Sequence, residues 1–242
     1  MPNSSDIALN RVGGKVSSLV RCASLGNEGD YVILIHGLFL SPFFMKKIAS
    51  ALEGRGYNVI NFNYPSRKYP IDTLANKFLA EFVRTYCVSK KKKIHFVTHS
   101  LGGILVRKYL AEHPIVKMGK VVMFAPPNHG SEIADFLKNN FLYKFIYGPA
   151  GQQLGANKRS YVNSLPNKVT FDLGVIAGSK SHNPLSSFLI KRKNDGTVSV
   201  SSTKITGMKD HITIPSSHVC ILYNKEAIDQ LLFFLDNGHF DK

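Results

Sequence analysis

Apolar residues along the chain follow two alternating rhythms. One is the short unbroken run: Tyr31-Val32-Ile33-Leu34-Ile35, Asn58-Val59-Ile60-Asn61-Phe62, Ile94-His95-Phe96-Val97, Lys120-Val121-Val122-Met123-Phe124 and Leu173-Gly174-Val175-Ile176-Ala177. Runs of this length predict strands covered on both faces, as in a parallel sheet. The other is helical spacing. Phe44, Ile48, Ala51 and Leu52 share a face over 43–55, which Gly54 and Gly56 end. Leu74, Phe78 and Phe82 predict a helix over 72–86, with Asp72 as its N-cap. A further helix is expected over 101–112, closed by Pro114, and a last one opens at Asn224-Lys225-Glu226. Its inward face carries Ile228, Leu231, Leu232 and Leu235.

Strand and helix alternate, so the fold class is α/β: a mainly parallel central sheet with helices on both faces. The rhythm stops over 128–166. Ala134-Asp135-Phe136-Leu137 and the aromatic segment Phe141 to Tyr147 are followed by Gly148-Pro149-Ala150-Gly151, a breaker. This stretch is expected to form a helical cap above the sheet, or else helices that only cover the core. After the fifth strand comes a polar, basic loop with Asn194-Asp195-Gly196, and a short structure is expected at 198–200. Neither repeats nor a linker divide the sequence, so 1–242 reads as one domain.

Composition narrows the picture. The 242 residues are 44% hydrophobic, as in an ordinary globular protein. No run of about eighteen apolar residues suggests a membrane-spanning helix. The start Met1-Pro2-Asn3-Ser4-Ser5-Asp6 does not read as a secretory signal. Cys22, Cys87 and Cys220 are odd in number and widely spaced, which fits neither a metal site nor a disulfide framework. Both points suggest a cytoplasmic location. The formal charge of +15 invites an anionic partner such as a phospholipid surface, although solubility alone would also account for it. The densest run, Lys90 to Lys93, is expected to be a solvated loop. With no zinc spacing and no aromatic RNA-binding box, specific nucleic-acid recognition is not expected.

The candidate chemistry begins at His99-Ser100-Leu101-Gly102-Gly103, between a predicted strand and a predicted helix. A serine hydroxyl is a weak nucleophile until a base takes its proton, and a tight strand-to-helix turn makes it protrude. Thr98 stands where the G-x-S-x-G pattern has glycine, and the open side provided by Gly102 and Gly103 should tolerate it. The loop after the first strand, His36-Gly37-Leu38, should supply an oxyanion donor. The backbone N–H groups of Leu38 and Leu101 are therefore assigned that role. Gly37 lets the backbone approach, and His36 braces the loop. His99 is expected to point away from the nucleophile.

His218, in a polar loop just before the last helix, is the expected base. His211 is its nearest rival, His239 is too near the end, and His182 is read as loop surface. Asp195 lies between Ser100 and His218, the order such a triad needs, and is preferred over Asp172 and Asp210 as the acid.

These segments, together with Ala125-Pro126-Pro127-Asn128-His129-Gly130-Ser131, Asn194-Asp195-Gly196-Thr197-Val198 and Ser217-His218, resemble the lipase and esterase branch of the α/β-hydrolases. The similarity is greatest to bacterial lipase-like proteins related to the GPI inositol-deacylase group. The resemblance implies the α/β-hydrolase fold and hydrolysis of an ester or lipid substrate, with neither metal nor organic cofactor. Acyl transfer or thioester cleavage by the same triad, and an inactive binding protein on this fold, are the competing readings. Product analysis with competing alcohols separates the first, and a fluorophosphonate probe separates the second.

Overall fold

The computed structural model describes residues 28–86, 92–181, 186 and 189–242. The N-terminal segment 1–6, Cys22, Cys87, Lys90, Lys91 and His182 lie outside the described residues. Among the described residues six strands build one sheet: β1 (Tyr31–Ile35), β2 (Asn58–Phe62), β3 (Ile94–His99), β4 (Met118–Phe124), β5 (Leu173–Gly178) and β6 (Asp210–Ile214). Every pairing is parallel, in the order β2-β1-β3-β4-β5-β6. Five strands coincide with the apolar runs of the sequence. β6 was not among them. It alternates, has only Ile212 and Ile214 as apolar members, and of its five residues only Ile214 is buried.

The two-residue period of the strands sorts the core into two layers. Ile33, Ile35, Ile60, Phe62, Phe96, Val121 and Met123 pack on one side with α2, helical over 71–86, and α3 (Leu101–Glu112). Val32, Leu34, Val59, Val97, Val122 and Phe124 pack on the other with α1 (Lys46–Glu53) and the C-terminal helix (Lys225–Asn237). The chain thus leaves β1 toward one face and the neighbouring β3 toward the other. Loops that diverge in this way open a crevice at the carboxyl ends of the strands, the usual place for a ligand in such a sheet.

Asp72 is not the N-cap of α2. Pro70 takes that position, with φ −66° and ψ 160°, and its missing N–H is no loss there. Asp72 lies in the first turn and pairs with Lys108 Nζ of α3 at 2.9 Å. The middle of α2, Leu74–Leu79, is π-helical. In the last helix Asn224 Oδ1 accepts from Ala227 N at 3.0 Å, the cap expected from the sequence.

The stretch 128–166 contains α4 (Glu132–Leu137), α5 (Phe141–Gln152) and α6 (Tyr161–Ser164), and no strand among the described residues. α5 breaks at Gly148, whose φ of 64° and ψ of −167° suit glycine. A Cβ there would lie within bonding range of the Arg67 carbonyl oxygen. The expected short structure near 198–200 is the start of α7 (Val200–Thr203), capped by Ser199 Oγ accepting from Ser202 N at 3.3 Å. The C-terminal helix is α8.

Candidate active site

Ser100 links β3 to α3 with φ 51° and ψ −120°, a conformation few non-glycine residues adopt. Its N–H donates to Phe124 O at 2.9 Å, so the sheet fixes the strained residue. The turn is tight because helix and strand nearly touch. A Cβ on Gly102 would lie 2.5 Å from the Ile35 carbonyl oxygen. One on Gly103 would lie 3.3 Å from Thr98 Oγ1. The γ-branch that replaces the usual glycine is therefore accommodated by the absence of a side chain five residues later. Thr98 itself is fully buried, and its hydroxyl finds no partner among the described residues.

His218 lies four residues beyond Ile214, in the loop that leaves β6. Its backbone is held at both polar groups. His218 N donates to Asp195 O at 3.0 Å, and His99 Nε2 donates to His218 O at 2.7 Å. These bonds aim the ring. Nε2 is 3.0 Å from Ser100 Oγ, and Nδ1 is 2.7 Å from Asp195 Oδ2. The other carboxylate oxygen, Oδ1, accepts from Thr197 N at 2.9 Å and Val198 N at 2.8 Å. Asp195 is 2% exposed, and these donors suit its ionised form. A carboxylate only accepts, so Nδ1 carries the imidazole proton and Nε2 presents its lone pair to the serine. Gly178, ending β5, makes room for the acid: a Cβ there would lie 2.7 Å from Asp195 Cβ.

The rival residues are engaged elsewhere. His211 on β6 has Nε2 2.9 Å from Thr203 Oγ1, and burial pushes its pKa down to about 4. Asp172 pairs with Lys209 at 3.5 Å. Asp210 accepts from Lys242 Nζ at 2.7 Å and from the N–H groups of Phe240 and His211. The His239 ring meets Phe233 edge-on.

The supporting residues form a second layer. His36 is fully buried and stacks on Tyr64 at 4.3 Å. Its Nδ1 donates to Gly37 O at 2.8 Å, and Tyr64 Oη donates to His36 O at 2.7 Å. Burial lowers the His36 pKa to about 4, so the ring is neutral. The His99 ring lies beside that of His218, with centroids 4.8 Å apart, and its Nε2 reaches the His218 carbonyl. Burial, then the nearby His218, holds it well below the usual histidine range. A Cβ on Gly37 would lie 2.6 Å from His99 Nδ1. Leu101 opens α3, where a backbone N–H has no acceptor in its own helix. The Leu38 loop is pinned by Leu40 N donating to Gly37 O and Phe39 N donating to Ser66 Oγ, both at 3.2 Å. Tyr64, Ser66 and Gly178 were not identified from the sequence. Nothing local distinguishes them, because each acts through a partner remote in the chain.

Two cavities of about 320 and about 530 Å³ flank His129, and Ser100, 6% exposed, lines neither.

The family model described as the alpha/beta hydrolase family matches residues 32–179. That span holds β2 to β5, all of β1 but Tyr31, and Ser100, whereas Asp195 and His218 lie beyond it. Among solved structures, the chain is similar to the mature form of the Bacillus licheniformis lipase BlEst2. The identity is 19% and the TM-score 0.71, over 90% of this chain and 97% of that one. It is similar to the phospholipase PlaB of Legionella pneumophila, with 18% identity and a TM-score of 0.71, over 87% of this chain and 60% of that one. An esterase from Exiguobacterium antarcticum matches at 15% identity and a TM-score of 0.62, over 91% and 96% of the two chains. A search of curated proteins gives no match.

Proposed function

Because the chain belongs to the alpha/beta hydrolase family, we propose that it is a serine hydrolase that cleaves carboxylic esters through Ser100, His218 and Asp195. The observation that carries this reading is the continuous contact from Ser100 Oγ to His218 Nε2 (3.0 Å) and from His218 Nδ1 to Asp195 (2.7 Å). The strained φ of 51° at the serine supports it.

Ser100 Oγ attacks the ester carbonyl carbon while its proton passes to His218 Nε2. Asp195 stabilises the imidazolium that forms and keeps Nδ1 protonated. Charge builds on the former carbonyl oxygen, and the N–H groups of Leu38 and Leu101 are the donors we assign to it. Such a donor is worth about a hundredfold or more in rate. The tetrahedral adduct collapses, the alkoxide takes the proton from His218 and leaves, and an acyl group stays on Ser100. Water, deprotonated by His218, then releases the acid and restores the hydroxyl.

The substrate class we favour is an acyl ester. The insertion over 128–166 serves in this reading as a cap that lines the acyl path. Tyr147 supports this, since it stacks on Tyr143 at 4.6 Å and meets Phe39 of the oxyanion loop at 6.1 Å. Purified protein should hydrolyse p-nitrophenyl acyl esters and take a fluorophosphonate label on Ser100. Ser100→Ala should lower kcat by about 10⁴-fold or more. Wild-type hydrolysis by Ser100→Ala would reject the assignment.

A further inference from the structure

The exposed apolar side chains are concentrated on one face of the molecule. Phe39 follows β1, Tyr69 follows β2, and Phe136, Phe141, Leu142 and Phe145 belong to the insertion after β4. In a parallel sheet these connections all leave the carboxyl edge, where Ser100 also lies. Val116, 99% exposed, sits on the opposite edge, before β4.

The exposure is not incidental. Phe141 is 81% exposed and Phe145 84%. At about 100° per residue, Phe141, Phe145, Leu142 and Ile146 fill an arc of about 140° on α5. Tyr143, buried, faces the body of the protein. The helix thus turns one apolar side inward and another outward to solvent. Single exposed apolar residues are common, but a contiguous set marks an interaction surface.

Charge identifies the occupant. Between Asp135, which pairs with Lys138 at 3.3 Å, and Asp172, the segment 136–171 also contains Lys144, Lys158, Arg159 and Lys168 and not one Asp or Glu. Residues 37–52 add Lys46 and Lys47, and residues 63–71 add Arg67 and Lys68, again with no acid. Aromatic and cationic groups are interleaved. Arg67 lies over the Phe39 ring at 4.6 Å and donates from Nη1 to Ile146 O at 3.4 Å. Lys46 lies over Phe43 at 4.6 Å. Phenylalanines at the centre with cations around them match an anionic bilayer, whose acyl region takes the rings and whose phosphates take the amines. Among the described residues no helix is long and apolar enough to cross a membrane.

We infer that the protein docks on an anionic membrane through the carboxyl edge of its sheet, with Phe141, Leu142 and Phe145 of α5 inserted and Ser100 facing the lipid. This deepens the hydrolase reading by naming the surface from which the ester is drawn. The docking itself is a binding event, so Ser100→Ala tests it apart from catalysis.

Wild type and Ser100→Ala should both sediment with vesicles of phosphatidylcholine containing phosphatidylglycerol. Binding to phosphatidylcholine alone should be at least about tenfold weaker, and raised salt should release the protein. Phe141→Ser with Phe145→Ser should lower binding by about a hundredfold without altering the melting temperature, since neither ring packs in the core. The chain has no tryptophan, so Phe145→Trp supplies a single reporter. Its emission should shift to the blue with the anionic vesicles and be quenched by brominated acyl chains, whereas that of Val116→Trp should not move. Equal binding to both vesicle types, full binding by the double serine variant, or an unshifted Phe145→Trp overturns the inference. So does a dimer that the double serine variant dissolves in a protein that binds no vesicles, because a second copy would then cover this face.

Discussion

At the scale of single residues, the site depends on which nitrogen of His218 holds a proton. Asp195 accepts from Nδ1 at 2.7 Å and from two backbone N–H groups on its other oxygen. In Asp195→Asn the amide oxygen can keep the backbone bonds, but the amide nitrogen then faces Nδ1 as a donor. The imidazole must take the other tautomer, with its proton pointing at Ser100. A fall in kcat of about 10⁴-fold is expected, with little change in melting temperature. Ester kinetics and a thermal melt on the same sample test both halves. His36 makes a different statement. Burial lowers its pKa from the ordinary 6.5 to about 4, against the smaller opposing effect of its bond to Gly37. Between those values the unfolded chain binds the proton and the folded one does not. Stability is therefore lost as pH falls from about 6.5 toward 4, by about 3 kcal/mol from His36, and His99 acts in the same direction. Urea unfolding midpoints across that window should decline. A flat profile would mean that the ring is solvated. The meeting of Ser100, Asp195 and His218 was legible in the sequence because their order and the turns around them can be read along the chain. The work of Tyr64 and the direction of His99 were not, since both depend on a carbonyl brought in by the fold.

At the scale of elements, Arg107 shows what sequence pattern conceals. It interrupts the apolar run Ile104-Leu105-Val106 of α3 and is 5% exposed. A surface reading of such a residue is natural, yet it is turned inward. Nη1 donates to Asn128 O at 2.8 Å and to Asn128 Oδ1 at 3.2 Å, and Nη2 donates to Pro166 O at 3.1 Å. Asn128 and Pro166 are the two ends of the insertion. One guanidinium on the helix that follows Ser100 thus ties both ends of the 128–166 stretch. Burial lowers its pKa only to about 10, so it stays charged at neutral pH. Arg107→Met keeps the stem but leaves three acceptors unpaired. A loss of about 3 kcal/mol in unfolding free energy is expected, together with faster proteolysis within 128–166. If the variant matches wild type in both, the tie contributes nothing. The strands were legible for the opposite reason. Each of β1 to β5 carries a run of buried apolar residues that the sequence displays directly. β6 has only Ile214 buried, and the run Asp210-His211-Ile212-Thr213-Ile214 hides it among polar loops. The start of α2 was misplaced because a proline and an aspartate both suit a helix entry, and only the three-dimensional path distinguishes them.

For the whole molecule, the dominant electrostatic fact is imbalance: 31 Lys and Arg against 16 Asp and Glu. Several ion pairs join this surplus to the acids, such as Arg55–Asp236 at 3.2 Å, with side chains 55% and 49% exposed. Pairs this exposed contribute little, and salt screens them. Salt equally screens the mutual repulsion of the cations, which acts across the whole surface and opposes compactness. The two effects have opposite signs, so the direction of the salt response decides between them. With 31 cations against 16 acids, at least 15 cations have no acid of their own to pair with, and repulsion should win. Raising NaCl from about 20 to about 300 mM shortens the screening length from about 20 to about 6 Å. The urea midpoint should therefore rise, and a fall would show that the exposed pairs outweigh the repulsion. The same surplus that weakens the free protein is what an anionic surface would neutralise, so stability and docking should respond to salt in opposite directions.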